Sequence, residues 1–152
     1  MRISAKADYA VRAAVELAEA DEKNPIKGES LAEAQDIPLQ FLEHILLELK
    51  HARLVRARRG ARGGYWLDRS PDEITLAAVI RAVEGPLANI QDMAPESTKY
   101  PGHAKELTDV WIAVRASLRR VLESVTIADL RDGKIPEDVL AMTQDEGAWV
   151  TR

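Results

Sequence analysis

Between Lys50 and Arg69 the chain carries seven basic residues, Lys50, Arg53, Arg56, Arg58, Arg59, Arg62 and Arg69, against a single acid, Asp68. Cations clustered this closely suit a polyanion: they neutralise phosphates and release the counterions condensed on them. The net charge of the whole chain is −4, so the cluster is a local arrangement and not a general basicity. Residues 1–69 hold 12 Lys/Arg against 11 Asp/Glu, and residues 70–152 hold 9 against 14. A second polar set precedes the cluster. Gln40, Glu43 and His44 are spaced to share the exposed face of a helix. Gln forms paired hydrogen bonds with adenine, Glu accepts from the cytosine amino group, and His donates to guanine or to a phosphate.

Other chemistries lack their groups. The cysteine count is zero, which excludes disulfides, thiolate nucleophiles, and zinc or iron-sulfur sites held by thiolates of this chain. His44, His51 and His103 are scattered, and no phosphate loop, serine elbow or paired His-carboxylate motif accompanies them, so no enzyme is expected. Asp92, Glu96, His103, Glu106 and Asp109 offer oxygen and nitrogen donors in one region but match no ligand spacing; a solvated acidic loop is the simpler reading. Neither metal nor cofactor is expected.

The polar sets need elements to position them. Ser4 is a plausible N-cap, and Ala7, Ala10, Val11, Ala14, Val15 and Ala18 recur at helical spacing, which predicts a first helix to about Ala20. Asn24-Pro25 marks a turn. A short second helix is expected from Ser30, with Leu31, Ala32 and Ala34 inward. Pro38 fits only the first turn of a third helix, whose Leu39, Leu42, Ile45, Leu46 and Leu49 form a strong apolar stripe. Two helices joined this tightly make a helix-turn-helix pattern. Leu54 to Leu67 then reads as strand, glycine-rich turn, strand, with Arg56 and Arg58 on one face and Arg59 and Arg62 at the tip. A hairpin directly after a recognition helix is a wing, and an arginine at its tip can enter the minor groove.

Ser70-Pro71-Asp72-Glu73 has the form of a capping box opening a fourth helix through Val83. From Pro86 to Gly102 no periodicity is sustained. The longest helix is expected from about His103 to Ser124, with a stripe of Leu107, Val110, Trp111, Val114, Leu118, Val121, Leu122 and Val125. At about 22 residues it would span about 33 Å, more than a domain of about 80 residues needs, so its surplus should be buried against another subunit. Thr126 caps a last short helix before Gly133, Pro136 starts a further turn, and the tail from Thr143 reads as frayed.

The chain has 152 residues, 46% of them apolar, 30% charged and 5% aromatic. That composition fits one helical core built from aliphatic side chains. The expected fold is mainly α with a small β-hairpin: a winged helix-turn-helix over 1–84, a loop over 85–103, a dimerisation helix and short following helix over 104–132, and a tail over 133–152. No apolar run is long enough to span a bilayer and no signal peptide is recognisable, so a cytoplasmic protein is expected.

The opening Met1-Arg2-Ile3-Ser4-Ala5-Lys6-Ala7-Asp8-Tyr9-Ala10-Val11, Ile37-Pro38 before Phe41-Leu42-Glu43, the Leu49 to Val55 run, the Gly60 to Leu67 wing and Val125-Thr126-Ile127-Ala128-Asp129-Leu130 together resemble the Rrf2 family of winged-helix transcriptional regulators over about residues 1–131. That family includes an iron-sulfur cluster regulator, a nitric-oxide-sensitive repressor and a cysteine-metabolism repressor. The resemblance implies a homodimer, paired through the long C-terminal helix, on a palindromic operator. It implies base reading by Gln40, Glu43 and His44 and minor-groove entry by Arg59, with Arg2 and Tyr9 as further backbone contacts or, equally, as surface and core residues. Sensing members hold a cluster on three cysteines in the segment matching Pro86–Glu106, with a fourth ligand elsewhere. Here the thiolates are missing; Asp8 and Asp109 stand near ligand positions of some members, and Asp8 is more simply a first-turn acid stabilised by the helix dipole.

The expected function is therefore a DNA-binding regulator, a repressor more than an activator, that holds no cysteine-ligated cluster. It would respond to a small ligand in 86–106, to a partner protein, or to its own concentration. The alternative is a dimeric interaction module whose basic hairpin docks an acidic partner. In a plainer reading of single residues, Arg56 to Arg62 are a charged edge hairpin, and Gln40, Glu43 and His44 an ordinary exposed face.

Overall fold

The computed structural model describes residues 2–150; the last two positions of the expected tail lie outside it. Its helices are α1 (Ala5–Leu17), α2 (Gly28–Gln35), α3 (Leu39–His51), α4 (Leu76–Glu84), α5 (Leu107–Leu122), α6 (Ile127–Asp132) and α7 (Glu137–Met142). The strands are β1 (Val55–Arg58) and β2 (Gly64–Leu67), paired antiparallel with Val55 opposite Leu67 and Arg58 opposite Gly64. This is the mainly helical fold with one hairpin that the sequence predicts.

α1 is the central strut. Ser4 caps it by accepting from the Ala7 N–H at 3.0 Å, and Ala7, Ala10, Ala13, Ala14 and Leu17 are buried. Four alanines on one face let α3 and α4 approach closely, and α4 makes its most extensive contact with this helix. The regular helix stops at Leu17, three residues earlier than expected, because Ala18, Glu19 and Ala20 tighten into i to i−3 bonds. α2 begins at Gly28 rather than Ser30, with Lys27 at its N-cap and no side-chain cap. Leu31 and Ala32 are buried as expected, whereas Ala34 is exposed, since the helix has only two turns and Ala34 lies on its outer side. Asp36 adopts a left-handed conformation (φ 51, ψ 51) that ends α2 and lets Pro38 start α3.

The core is aliphatic. Leu17, Leu31, Leu42, Ile45, Leu46, Leu49, Val55, Ile74, Val79 and Ile127 are fully buried. Each such side chain contributes about 1.5–3 kcal/mol through removal from water.

Three expectations beyond β2 need correction. The Ser70–Glu73 box, in which the Ser70 N–H donates to Glu73 at 3.3 Å, closes only a 3-10 turn at Pro71–Glu73. Ile74 then extends, and α4 starts at Leu76, capped by Thr75 accepting from the Ala78 N–H at 3.1 Å. The chain is drawn out of helix there because Ile74 and Leu76 bond to the backbone around Thr126: Leu76 N–H donates to Val125 at 2.9 Å and Ile127 N–H to Ile74 at 2.9 Å. Second, α5 has 16 residues, Leu107–Leu122, about 24 Å at 1.5 Å per residue. Gly102–Ala104 forms a separate 3-10 turn ahead of it, and Val125 lies beyond its end, buried beside α4. Third, the tail folds back: Glu146–Trp149 makes a turn, and Trp149 Nε1 donates to the Thr143 carbonyl at 2.6 Å.

The end of the folded unit is as the sequence predicts. Thr126 and Asp129 cap α6 reciprocally, at 3.1 and 2.8 Å, and Gly133 ends it in the left-handed region.

Candidate nucleic-acid interface

α3 separates its residues sharply. Leu42, Ile45, Leu46 and Leu49 have no exposed surface, while Gln40, Glu43 and His44 are all exposed near its N-terminal end. Those three lie on the outer face because they are out of phase with the buried stripe. α3 is tied to α1 by Lys6 Nζ donating to Glu48 Oε1 at 2.9 Å. A second tie runs from α1 to the end of α2: Arg12 Nε donates to Gln35 Oε1 at 3.1 Å, another Arg12 nitrogen donates to the Gln35 carbonyl, and Gln35 reaches Glu16. Arg12 also bonds Asp8 at 3.2 Å and covers the Tyr9 ring at 5.2 Å. The turn between α2 and α3 is thus held from α1. Neither Arg12 nor Lys6 stood out in the sequence, since nothing in a helical pattern says which surface cation reaches across.

The hairpin follows α3 directly, and β1 packs against that helix. β2 is paired on both edges: with β1 on one side and with Ile26 on the other, where Ile26 N–H donates to Tyr65 at 3.0 Å and Tyr65 N–H to Ile26 at 2.7 Å. Sequence pattern gave no sign of Ile26, a single strand-like residue after a proline. The glycines answer to close approach. A Cβ on Gly64 (φ 150) would stand 2.6 Å from the Ile26 carbonyl oxygen, and one on Gly63 would overlap that of Arg58. Tyr65 is half-buried, and burial, reinforced by the charges of Glu43 and Glu29, pushes its phenol pKa up.

The four wing arginines are not equivalent. Arg56 is paired with Asp68. Arg58 lies 6.0 Å from the Trp66 ring centroid and donates to the Arg62 carbonyl at 3.1 Å. Arg59 and Arg62 are exposed and, among the described residues, take part in no ion pair. A free guanidinium binds phosphate without first breaking an internal bond, so the tip is the reactive end of the hairpin. Tyr9 is half-buried, its ring edge-on to Phe41 with centroids 5.7 Å apart. Arg2 is exposed and stands apart from the wing, at the mouth of a cleft of about 900 Å³ between the start of α1, the end of α4 and α5. Ile3, Ile80, Leu87, Trp111 and Leu118 line that cleft.

α5 differs from every other long helix. None of its residues is buried, and Leu107, Trp111, Val114, Leu118, Val121 and Leu122 are only half-buried, with Val110 51% exposed. The segment before it is fixed by its own contacts. Thr98 is buried with its hydroxyl on the Pro95 carbonyl at 2.6 Å, Thr108 donates to the Thr98 carbonyl at 3.1 Å, and Arg115 pairs with Glu96 at 2.7 Å.

The family model described as Rrf2, iron-dependent transcriptional regulator, matches residues 3–133. A relative in Mycobacterium tuberculosis, carried under a provisional name as the HTH-type transcriptional regulator Rv1287, is 50% identical over 145 residues, covering 95% of this chain and 90% of its own. The HTH-type transcriptional regulator CymR of Bacillus subtilis is 35% identical over 130 residues, covering 86% and 89%. Among solved structures, that of CymR, the global cysteine regulator of B. subtilis, superposes with a TM-score of 0.71 at 33% identity, covering 87% of this chain and 97% of that one. T. potens IscR gives 0.68 at 30% identity, covering 100% and 93%.

The iron in that family description finds no fit in these residues. The chain has no cysteine, and among the described residues no three His, Asp or Glu side chains converge to hold a metal. Asp8 is paired with Arg12, and Asp109 is exposed in the first turn of α5 with no other His, Asp or Glu gathered round it to share a metal. A soft iron-sulfur cluster requires thiolates that are not there. What remains is the helix-turn-helix, the wing and the long helix, and on these the chain belongs to the Rrf2 family of transcriptional regulators, proteins that act by binding DNA and not as enzymes.

Proposed function

We propose that this chain is a homodimeric repressor that reads a palindromic operator, with α3 in the major groove and the wing tip against the adjacent minor groove. Gln40, Glu43 and His44 read bases. Arg59 and Arg62 enter the minor groove or clamp its phosphates, while Arg56, Arg58, Arg2 and Tyr9 contribute backbone contacts. The observation that carries this reading is the contrast within the hairpin: Arg56 and Arg58 are internally engaged, and the two tip arginines, Arg59 and Arg62, are exposed and take part in no ion pair among the described residues.

The reader is residues 1–84, followed by the loop 85–103, the dimer arm 104–132 and the tail 133–152. Two copies pair through α5, whose Leu107, Val110, Trp111, Val114, Leu118, Val121 and Leu122 are not fully buried within one chain. Pairing sets two recognition helices about one helical turn of DNA apart, about 34 Å. The 86–106 segment, without thiolates, responds to a small ligand or a partner protein. Selection from random duplexes followed by mobility-shift titration tests the reading. The selected duplex should be palindromic and bound at least about 10³-fold more tightly than a scrambled one at physiological salt. Equal affinity for both would falsify sequence-specific reading.

A further inference from the structure

Two large apolar residues of α3 stay in water, Phe41 at 41% exposure and Leu47 at 49%. Leu47 sits two turns along, beyond the N-terminal residues that reach base edges in a recognition helix. Phe41 is in the first turn, next to Gln40 and ahead of Glu43 and His44. At about 100° per residue it lies about 60° round the helix from His44, bordering the polar face on the side of α1.

Its ring is held in one orientation. Tyr9 meets it edge-on, with centroids 5.7 Å apart and an interplanar angle of 85°, a favourable aromatic geometry. Tyr9 is in turn covered by the Arg12 guanidinium, which is fixed by Asp8 and Gln35. One part of the Phe41 ring is thus anchored on α1, and the rest is presented to solvent beside the base-reading groups. In the major groove the apolar group a base pair offers is the thymine 5-methyl.

We propose that Phe41 is a specificity-determining residue, contacting the 5-methyl of a thymine in each half-site, and that Tyr9 is the positioning residue that aims it. The proposal rests on α3 being the base-reading helix.

The test uses the full-length protein and the duplex it enriches from a random pool. Each thymine of one half-site is replaced in turn by deoxyuridine, which removes the methyl and leaves every hydrogen-bonding group. Wild type should lose about fourfold in affinity at one or two positions, the about 0.8 kcal/mol of one methyl-sized group. Phe41→Ala should bind more weakly overall and be indifferent to deoxyuridine there. Phe41→Leu, which keeps an aliphatic contact, should show an intermediate sensitivity and provides the readout should the alanine variant fold poorly. The same fold loss in wild type and in the Phe41 variants, or no deoxyuridine-sensitive thymine, overturns the proposal alone. Failure to enrich any duplex overturns the reading of α3 and this proposal with it.

Discussion

α3 and α5 carry comparable apolar stripes, and the folded chain treats them in opposite ways. Leu42, Ile45, Leu46 and Leu49 of α3 are completely buried, whereas no residue of α5 is. The difference lies in what surrounds them. α3 packs among α1, α2 and α4, while α5 has slight contact with α4 and otherwise rests on the Pro95–Ser97 turn. A stripe buried by its own chain reports a core; a stripe of equal regularity left half in water is the surface on which the proposed dimer would close.

Substitutions in the two helices should therefore separate folding from assembly. The largest effect is expected from Leu118→Glu in α5. Sedimentation should find a monomer with unchanged far-UV circular dichroism, and affinity for a palindromic duplex should drop by about 10²–10⁴-fold with the loss of linked half-sites. A variant that stays dimeric would remove the contrast. Leu46→Ala in α3 should instead destabilise the chain by about 2–5 kcal/mol in denaturant titration, the cost of a cavity at a closed site. If it unfolds no more readily than wild type, the burial of α3 has been overvalued.

A finer version of the comparison concerns the wing. Arg59→Ala should cost about 1–3 kcal/mol of duplex affinity and lower the salt dependence. Arg56→Ala, whose side chain is already paired with Asp68, should cost less. The reverse order, read by titration at several salt concentrations, would mean that the ion pair opens on binding.

The smallest effect belongs to the segment before α5. The Glu96 carboxyl is held below the ordinary carboxylate range by its own backbone N–H and then by Arg115. A depressed folded-state pKa gives stability that is present above the unfolded value and lost as pH falls through the folded one. Glu96→Gln should therefore melt slightly below wild type at neutral pH, and the two curves should converge on acidification. Divergence toward low pH would contradict the Arg115 pairing.

Much of the reader was legible because its signals are local. The period of α3, the reciprocal Thr126–Asp129 cap and the glycines of the hairpin each state a conformation within a few residues. What was not legible depends on distant partners. The Ser70–Glu73 box has the form of a helix start, and only the backbone bonds from Ile74 and Leu76 to residues 125 and 127 stop it after one turn. The single bridging residue Ile26 has no pattern of its own and is extended because it bonds to the free edge of β2 at Tyr65. α5 was expected too long because apolar spacing continues past the point where the chain turns away to bury Val125. At the interface, Gln40, Glu43 and His44 could be picked out as exposed from phase alone, whereas the engagement of Arg56 with Asp68, and of Arg12 with Gln35, required coordinates.

The bonds joining Ile74 and Leu76 to residues 125 and 127 close a loop at its base: the chain passes through α4, packed on α1, and then through the segment 85–122 before it returns. Its two ends leave the reader at one point, so the entropy of the intervening length grows only slowly with the number of residues. The part of that loop beyond α4 can therefore change in length at little entropic cost, while α4 stays in the core. The segment between α4 and α6 is thus anchored at both ends on one spot of the fold, and its length is free to vary where its attachment is not.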